Sequence, residues 1–303
     1  MKKNQLGSSN LYVSEIGFGC MSLSDNQQQN EKILHEAVDS GINYFDTADL
    51  YQYGFNEESV GQALKNKREN VVLATKGGNE WGDGIDGWRW NPSKEYIKEA
   101  CKNSLKRLQT DYIDLYQLHG GTVDDPFEEM TGALEELTKE GLIRYYGISS
   151  IRPNVIKKFT EKSSIVSNMM QYSILDRRPE EWMPLLDRSQ VSIIARGPVA
   201  KGLLTNNYVN KLTEEGYLNY SREELERLII NLQKIADEAG MPLSSLALRY
   251  ILDHHTPAAA IQGARTPDQL RDNVRASEYT LSEDIISAVK HASKAAVYEA
   301  HRE

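Results

Sequence analysis

Eight short runs rich in β-branched and aromatic residues recur along the chain, most of them separated by amphipathic stretches, and that alternation limits the folds open to it. The runs are 14–19 (SEIGFG), 43–48 (NYFDTA), 71–76 (VVLATK), 112–119 (YIDLYQLH), 143–149 (IRYYGIS), 165–171 (IVSNMMQ), 191–196 (VSIIAR) and 258–263 (AAAIQG). Helical patterns lie at 30–41, 58–67, 93–109, 126–141, 153–162 and 179–188. Several open on Pro, Asn or Ser before an acidic first turn and close on Gly or a basic residue, as capped helices do. The repeat predicts a (β/α)8 barrel. An open doubly wound sheet satisfies the same count, because a period says nothing about closure. At 303 residues the chain suits one such barrel, a single domain over 1–303.

Two segments break the rhythm. QLGSSNLYVSE (5–15) reads as a hairpin that plugs one end of the barrel, and a polar loop over 205–222 precedes two extra helices (222–240 and 242–255) before the last strand. A loop of that length inside a compact barrel reads as a lid or binding loop. With 40% hydrophobic and 26% charged residues the composition supports a sizeable core. The net charge of −9 speaks against nucleic acid or an anionic membrane as partner, though not against a local basic pocket for a phosphate. Cys20 and Cys101 give neither a disulfide framework nor metal-ligand spacing, so no metal is expected. MKKNQLGSSN has no apolar core behind its lysines and no stretch reaches the length of a membrane span, so a cytoplasmic protein is expected.

In such a barrel chemistry sits at the C-terminal ends of the strands. The second run ends on Asp46 and delivers Tyr51 in the next turn (YFDTADLYQYG, 44–54), the third ends on Lys76 and the fourth on His119. Each has a plain structural reading: an Asp that forms a turn, a Tyr that packs, a solvated Lys. On three successive strand ends they make a proton-donating group. A phenol is a weak acid near neutrality, an adjacent ammonium favours the phenolate, a carboxylate holds that ammonium charged, and an imidazole can orient a substrate oxygen. The set suits protonation of an oxygen that gains negative charge, as when a carbonyl accepts hydride.

At these residues the sequence resembles the aldo-keto reductase superfamily. FDTADLYQYGFNEESVG (45–61) is similar to that family's signature, with Gln52 where many members have Gly. The resemblance continues through ATKGG (74–78), LYQLHG (115–120), YYGISS (145–150), QYSILDRR (171–178), GPVAKGLLT (197–205) and IQGARTPDQLRDN (261–273), essentially the whole chain. It implies a TIM barrel, the catalytic tetrad Asp46, Tyr51, Lys76 and His119 with Tyr51 as general acid, and reduction of aldehydes or ketones to alcohols at the expense of NADPH, as in NADP+-dependent alcohol dehydrogenases.

A hydride donor is needed, since no side chain supplies one. GDGIDG (82–87) matches GxGxxG literally but runs into WRWNP instead of a helix, so it reads as a flexible loop on the substrate side. QGARTPDQLRDN opens a helix around Thr266 and Pro267, where a helix N-terminus and Arg265 suit a phosphate and Gly263 allows close approach. By resemblance this is the pocket for the 2′-phosphoadenosine end of NADPH, with Gln269 and Asn273 reaching the phosphoribose and adenine. Gly197, Pro198, Val199, Lys201 and Gly202 then form a pyrophosphate clasp, and Arg196 stacks its guanidinium where many members stack an aromatic. By the same resemblance Cys20, Met21 and Asp46 are expected to line the nicotinamide. Where the family has Ser-Asn after strand five and Gln at the end of strand six, this chain reads Ser149, Ser150 and Met169.

Two other functions fit parts of the pattern. A Schiff-base aldolase needs a neutral lysine, which Asp46 opposes. An NADP(H)-sensing regulatory subunit, similar to potassium-channel β-subunits, needs an exposed apolar assembly surface. Trp81, Trp88, Trp90 and the 205–222 loop are expected to keep water from the mouth, which suits small or medium carbonyl compounds, and the helical faces, lacking an apolar seam, suit a monomer.

Overall fold

The computed structural model describes residues 1–302. Antiparallel β1 (Lys3–Gln5) and β2 (Tyr12–Ser14) form the expected hairpin, paired from Lys3 with Ser14 to Gln5 with Tyr12. The eight predicted strands all form, within a few residues of the expected ends: β3 (Ile16–Gly19), β4 (Tyr44–Asp46), β5 (Val72–Gly77), then, after a two-stranded excursion of β6 (Asn79–Glu80) and β7 (Arg89–Trp90), β8 (Ile113–Leu118), β9 (Ile143–Ser149), β10 (Ser167–Gln171), β11 (Ser192–Arg196) and β12 (Pro257–Gln262). β12 pairs in parallel with β3, Ala260 beside Ile16, and this bond closes the barrel and excludes the open sheet.

Around it run α1 (Gln27–Asp39), α2 (Phe55–Leu64), α3 (Lys94–Leu108), α4 (Phe127–Lys139), α5 (Pro153–Lys162), α6 (Met183–Arg188), the two extra helices α7 (Arg222–Glu238) and α8 (Leu243–Leu252), then α9 (Pro267–Arg275) and α10 (Glu283–Ala292). α7 starts at a capping box between Ser221 and Glu224 and buries Leu225, Leu228, Ile229, Leu232 and Ala236, a stripe at helical spacing. The helix expected over 179–188 is α-helical only from Met183; Arg178–Trp182 is a 310 turn, because Pro179 and Pro184 each remove a backbone donor.

Strand residues alternate between two cores. Tyr44, Val72, Ala74, Leu115, Met169, Ile194, Ala259 and Ile261 point into the barrel, where Leu6, Leu11 and Val13 of the hairpin cluster with them as the expected plug. Phe45, Leu73, Tyr116, Met170 and Ala195 point out under the helices. Carried to the strand tops, the inward phase places Asp46, Lys76, Gln117, Ser149, Gln171 and Arg196 around the mouth. GDGIDG is the turn of the β6–β7 hairpin, with Gly82, Gly84 and Gly87 all at positive φ, a backbone role unrelated to a nucleotide.

α2 packs on α3 through Gly61, whose Cβ, if present, would lie 2.5 Å from the carbonyl carbon of Leu108. Backbone cannot rotate away. Gly61→Ala is expected to cost about 1–3 kcal/mol, read as an earlier urea midpoint; an unchanged midpoint would show that the two helices separate freely.

Candidate active site

The strand ends deliver the four predicted residues to one place. Lys76 Nζ lies 2.5 Å from Asp46 Oδ1 and donates to the carbonyl of Thr47 at 2.7 Å and to the Tyr51 hydroxyl at 3.4 Å. The Tyr51 and His119 rings meet edge to face, 5.9 Å between centroids. Lys76 and Asp46 are 1% and 4% exposed, whereas Tyr51 and His119 are partly open to the mouth. The buried end holds the charge, and the phenol and imidazole lie at the open end.

The rest of the 45–61 segment fixes that geometry. Thr47 Oγ1 donates to Asn56 Oδ1 at 2.7 Å, and Asn56 Nδ2 donates to the carbonyl of Cys20. Glu57, fully buried, accepts from Thr75 at 2.5 Å and pairs with Arg107 at 2.7 Å. Between these anchors and Tyr51 the chain turns through Gln52, Tyr53 and Gly54 with φ of 50°, 48° and 89°. Two consecutive non-glycine residues in the left-handed region are strained by about 1–2 kcal/mol each. A glycine at 52 would relieve one of them; here Asn56 Nδ2 donates to Gln52 Oε1.

Burial opposes charge on Lys76, yet the Asp46 carboxylate and the Tyr51 oxygen hold its ammonium above the ordinary lysine value. Burial pushes Asp46 up, opposed by Lys76 and by an amide hydrogen bond from Gln117. Asp49, buried next to Glu57, is pushed up to about 8 with Oδ1 unpartnered among the described residues. Burial, with Lys76 and Arg196 nearby, pushes the His119 imidazole down to about 3, and its Nδ1 is buried without a partner among the described residues. His119 is therefore a neutral imidazole at neutral pH.

The cofactor residues named from the sequence divide. Met21 is exposed at the mouth, but Cys20 is 0% exposed, because Cys20–Ser22 turn as a 310 helix that folds the thiol inward beside Asp46; Cys20 cannot line an open face with its side chain. Ser149 is inward and half-buried, whereas Ser150 is out of phase, its amide donating to Asn168. Met169 belongs to the inner core, one inward step below the mouth, so it is not the residue at the end of strand six. Gln171 is. Its Oε1 accepts from Arg196 at 3.1 Å and its Nε2 donates to Asp176 and to Tyr217 of the 205–222 loop. The period of two along β10 carried this signal, since Met169 and Gln171 share a face.

Gly197, Lys201 and Gly202 are accessible and, like Ala200, have positive φ, so the loop after β11 curls at the surface; Pro198 and Val199 bury their side chains and offer only backbone. Gly263 leaves space for Ser22, 2.6 Å from where its Cβ would stand, so packing also calls for a glycine there. Gln269 Oε1 accepts from the Arg265 amide at 2.8 Å and Asn273 Nδ2 donates to the Gly263 carbonyl at 3.3 Å, so both shape the loop that presents Arg265. Trp90 lies over Gly78 and donates to Asp125, a structural role; Trp81 meets Tyr53 edge to face at 5.6 Å.

In a chain of net charge −9, the loops after the adjacent strands β11 and β12 expose Arg196, Lys201 and Arg265, and the Lys201 ammonium and Arg265 guanidinium have no protein partner among the described residues. Arg265, uncommitted and adjacent to the N-cap of α9, fits a phosphate of a dinucleotide, and Lys201 adds a second free cation on the neighbouring strand's loop. No cluster of His, Cys, Asp and Glu suited to a metal occurs among the described residues.

The sequence model of the Aldo/keto reductase family matches residues 15–294. The chain is 53% identical to an uncharacterized oxidoreductase, YqkF, of Bacillus subtilis, with all of both chains covered. It is 31% identical to an NADH-specific methylglyoxal reductase of Escherichia coli, over 97% of this chain and 99% of that one. The holo form of aldo-keto reductase AKR11C1 from Bacillus halodurans superposes with a TM-score of 0.95 at 56% identity, covering 100% of each chain.

Because the folded pKa of His119 lies near 3 and an unfolded histidine near ~6.5, the unfolded chain binds the extra proton between those values. This contribution to stability is complete above ~6.5 and is lost as the pH falls. His119→Asn is expected to lose less stability than the wild type between about pH 7 and about pH 4, measured by urea unfolding; equal losses would contradict a neutral buried imidazole.

Proposed function

The chain belongs to the aldo/keto reductase family, and on that premise we propose that it reduces small aldehydes or ketones to alcohols with NADPH, using Tyr51 as the general acid. The observation that carries this reading is the third hydrogen bond of Lys76, which goes to the Tyr51 oxygen. A nicotinamide dinucleotide, when bound, supplies the hydride. Arg265, with Gln269 and Asn273 shaping its loop, takes the adenosine end and its 2′-phosphate; Gly197, Lys201, Gly202 and the backbone of Pro198 and Val199 take the pyrophosphate. Met21, Ser149, Gln171 and Arg196 surround the nicotinamide, Gln171 filling the part first given to Met169. Ser150 and Cys20 support this wall from behind.

The carbonyl oxygen sits between the Tyr51 hydroxyl and His119. As its carbon gains two electrons the oxygen takes the Tyr51 proton, and the phenolate left behind is stabilised by the Lys76 ammonium, which Asp46 keeps charged. His119, neutral, orients the oxygen by a hydrogen bond and leaves the proton transfer to Tyr51. Solvent returns the proton to Tyr51 after the alcohol leaves. Trp81, Tyr53 and the 205–222 loop wall off the mouth. The same reading makes the whole chain one catalytic domain, a cytoplasmic monomer that acts on a small carbonyl compound and on neither nucleic acid nor membrane. The E. coli relative is named for NADH and methylglyoxal and a Schizosaccharomyces pombe relative for NADP(+); the free guanidinium of Arg265 favours the phosphorylated cofactor here.

Absorbance decay of NADPH with methylglyoxal and aromatic aldehydes is expected for the wild type. Tyr51→Phe is expected to lower kcat by ~10²–10⁴-fold with NADPH binding, followed by fluorescence, retained. Turnover by Tyr51→Phe near the wild-type rate would remove Tyr51 as the acid, and an equal preference for NADH would remove Arg265 as the selector.

A further inference from the structure

Gln117 occupies a position where packing alone would choose leucine. It is fully buried above Leu115 on the inward face of β8, and pairs across strands with Lys76 on one side and Gly147 on the other. Its Nε2 donates to Asp46 Oδ2 at 3.3 Å, the oxygen that Lys76 does not take. Its Oε1 is buried without a partner among the described residues. A buried amide that satisfies only one end costs stability that an aliphatic side chain would not. Nor is the direction of the amide arbitrary, since a carboxylate repels the carbonyl end and accepts from the NH2 end.

We infer that Gln117 is a positioning residue for the reaction: it clamps the second oxygen of Asp46, keeping the carboxylate ionised and turned toward Lys76, and so keeps Lys76 beneath the Tyr51 phenol. The inference rests on the reductase reading above. The groups that face Asp46 are few. From β5 comes Lys76, from the turn after β3 the Cys20 thiol, from β4 itself the Tyr44 phenol, and beyond Lys76 stand Tyr51 and His119. Burial keeps Cys20 and Tyr44 neutral, and His119 is neutral as well. Lys76 is thus the one charge acting on Asp46 among the described residues, and Gln117 supplies the other side-chain hydrogen bond. Without it, Oδ2 would be left bare in the barrel interior and the neutral acid would gain over the carboxylate. A neutral Asp46 no longer holds Lys76 charged, so the acidic limb of kcat moves to higher pH.

The test uses Gln117→Met, apolar and of similar length, and Gln117→Glu, which keeps the shape and adds a second carboxyl. The titration of Asp46 is followed by 13C NMR in the ligand-free protein, its signal assigned by loss in Asp46→Asn, alongside kcat against pH with NADPH. In Gln117→Met the Asp46 midpoint is expected to rise by about one pH unit and kcat to fall about tenfold, with KM for NADPH within about twofold and the melting temperature held. In Gln117→Glu, where two carboxyls share a proton, the midpoint rises further, and this variant decides the matter should the methionine variant not fold. An Asp46 titration unmoved in the folded variants overturns the inference, whether kcat stays the same or falls together with stability. If the wild type shows no NADPH-linked turnover, the reductase reading falls alone, because the Asp46 titration still reports what Gln117 does.

Discussion

The ion pair between Lys76 and Asp46 is the constraint on which the site depends. Two charges taken from water cost several kcal/mol each, and the expense is met only if every donor and acceptor finds a partner. Lysine has three N–H bonds, and here they go to Asp46, to the Thr47 carbonyl and to the Tyr51 hydroxyl. The last of these is the only one that reaches toward the mouth. A buried pair that is of little use for stability thereby becomes a rigid support for the Tyr51 phenol, which on the proposed reading loses and regains a proton.

The surrounding chain secures that support. Asn56 ties Thr47 to the turn after β3, and Glu57 ties α2 to β5 and α3 through Thr75 and Arg107. Strain at Gln52 and Tyr53 persists because these anchors determine the path on both sides. On the opposite side of the mouth Gln171 joins Arg196 to Tyr217, which couples the strand tops to the long loop over 205–222. One wall is therefore rigid and acid-bearing, and the other basic and linked to a loop.

Most of the barrel was legible because parallel strands buried on both faces read as apolar runs whatever their register. Closure was not, since it rests on β12 meeting β3, a contact between the ends of the barrel. That Asp46, Lys76 and His119 meet at one mouth was legible because polar residues end apolar runs there. Gln171 was overlooked in favour of Met169 because the family pattern was laid on the run two residues short of its end; the alternation that puts both residues inside, with Gln171 on top, places Gln171 at the mouth. The side-chain setting of Cys20 and Gly263 was not legible because loop conformation is set by packing: a 310 turn folds the Cys20 thiol inward, and Gly263 makes room for Ser22. Gln117 drew no notice because one polar residue within LYQLH breaks no pattern. α10 follows an ordinary cap at Ser282 that the repeat of eight had no need to include.

The claim at the centre of the account is that the buried pair serves chemistry and not the core. The direct test is turnover by the double variant Asp46→Asn/Lys76→Met, in which both charges are gone and no buried charge is left bare. Stability equal to or above the wild type is predicted, with NADPH still bound and carbonyl reduction lower by at least ~10²-fold. Turnover within about tenfold of the wild type in that restored core would contradict it.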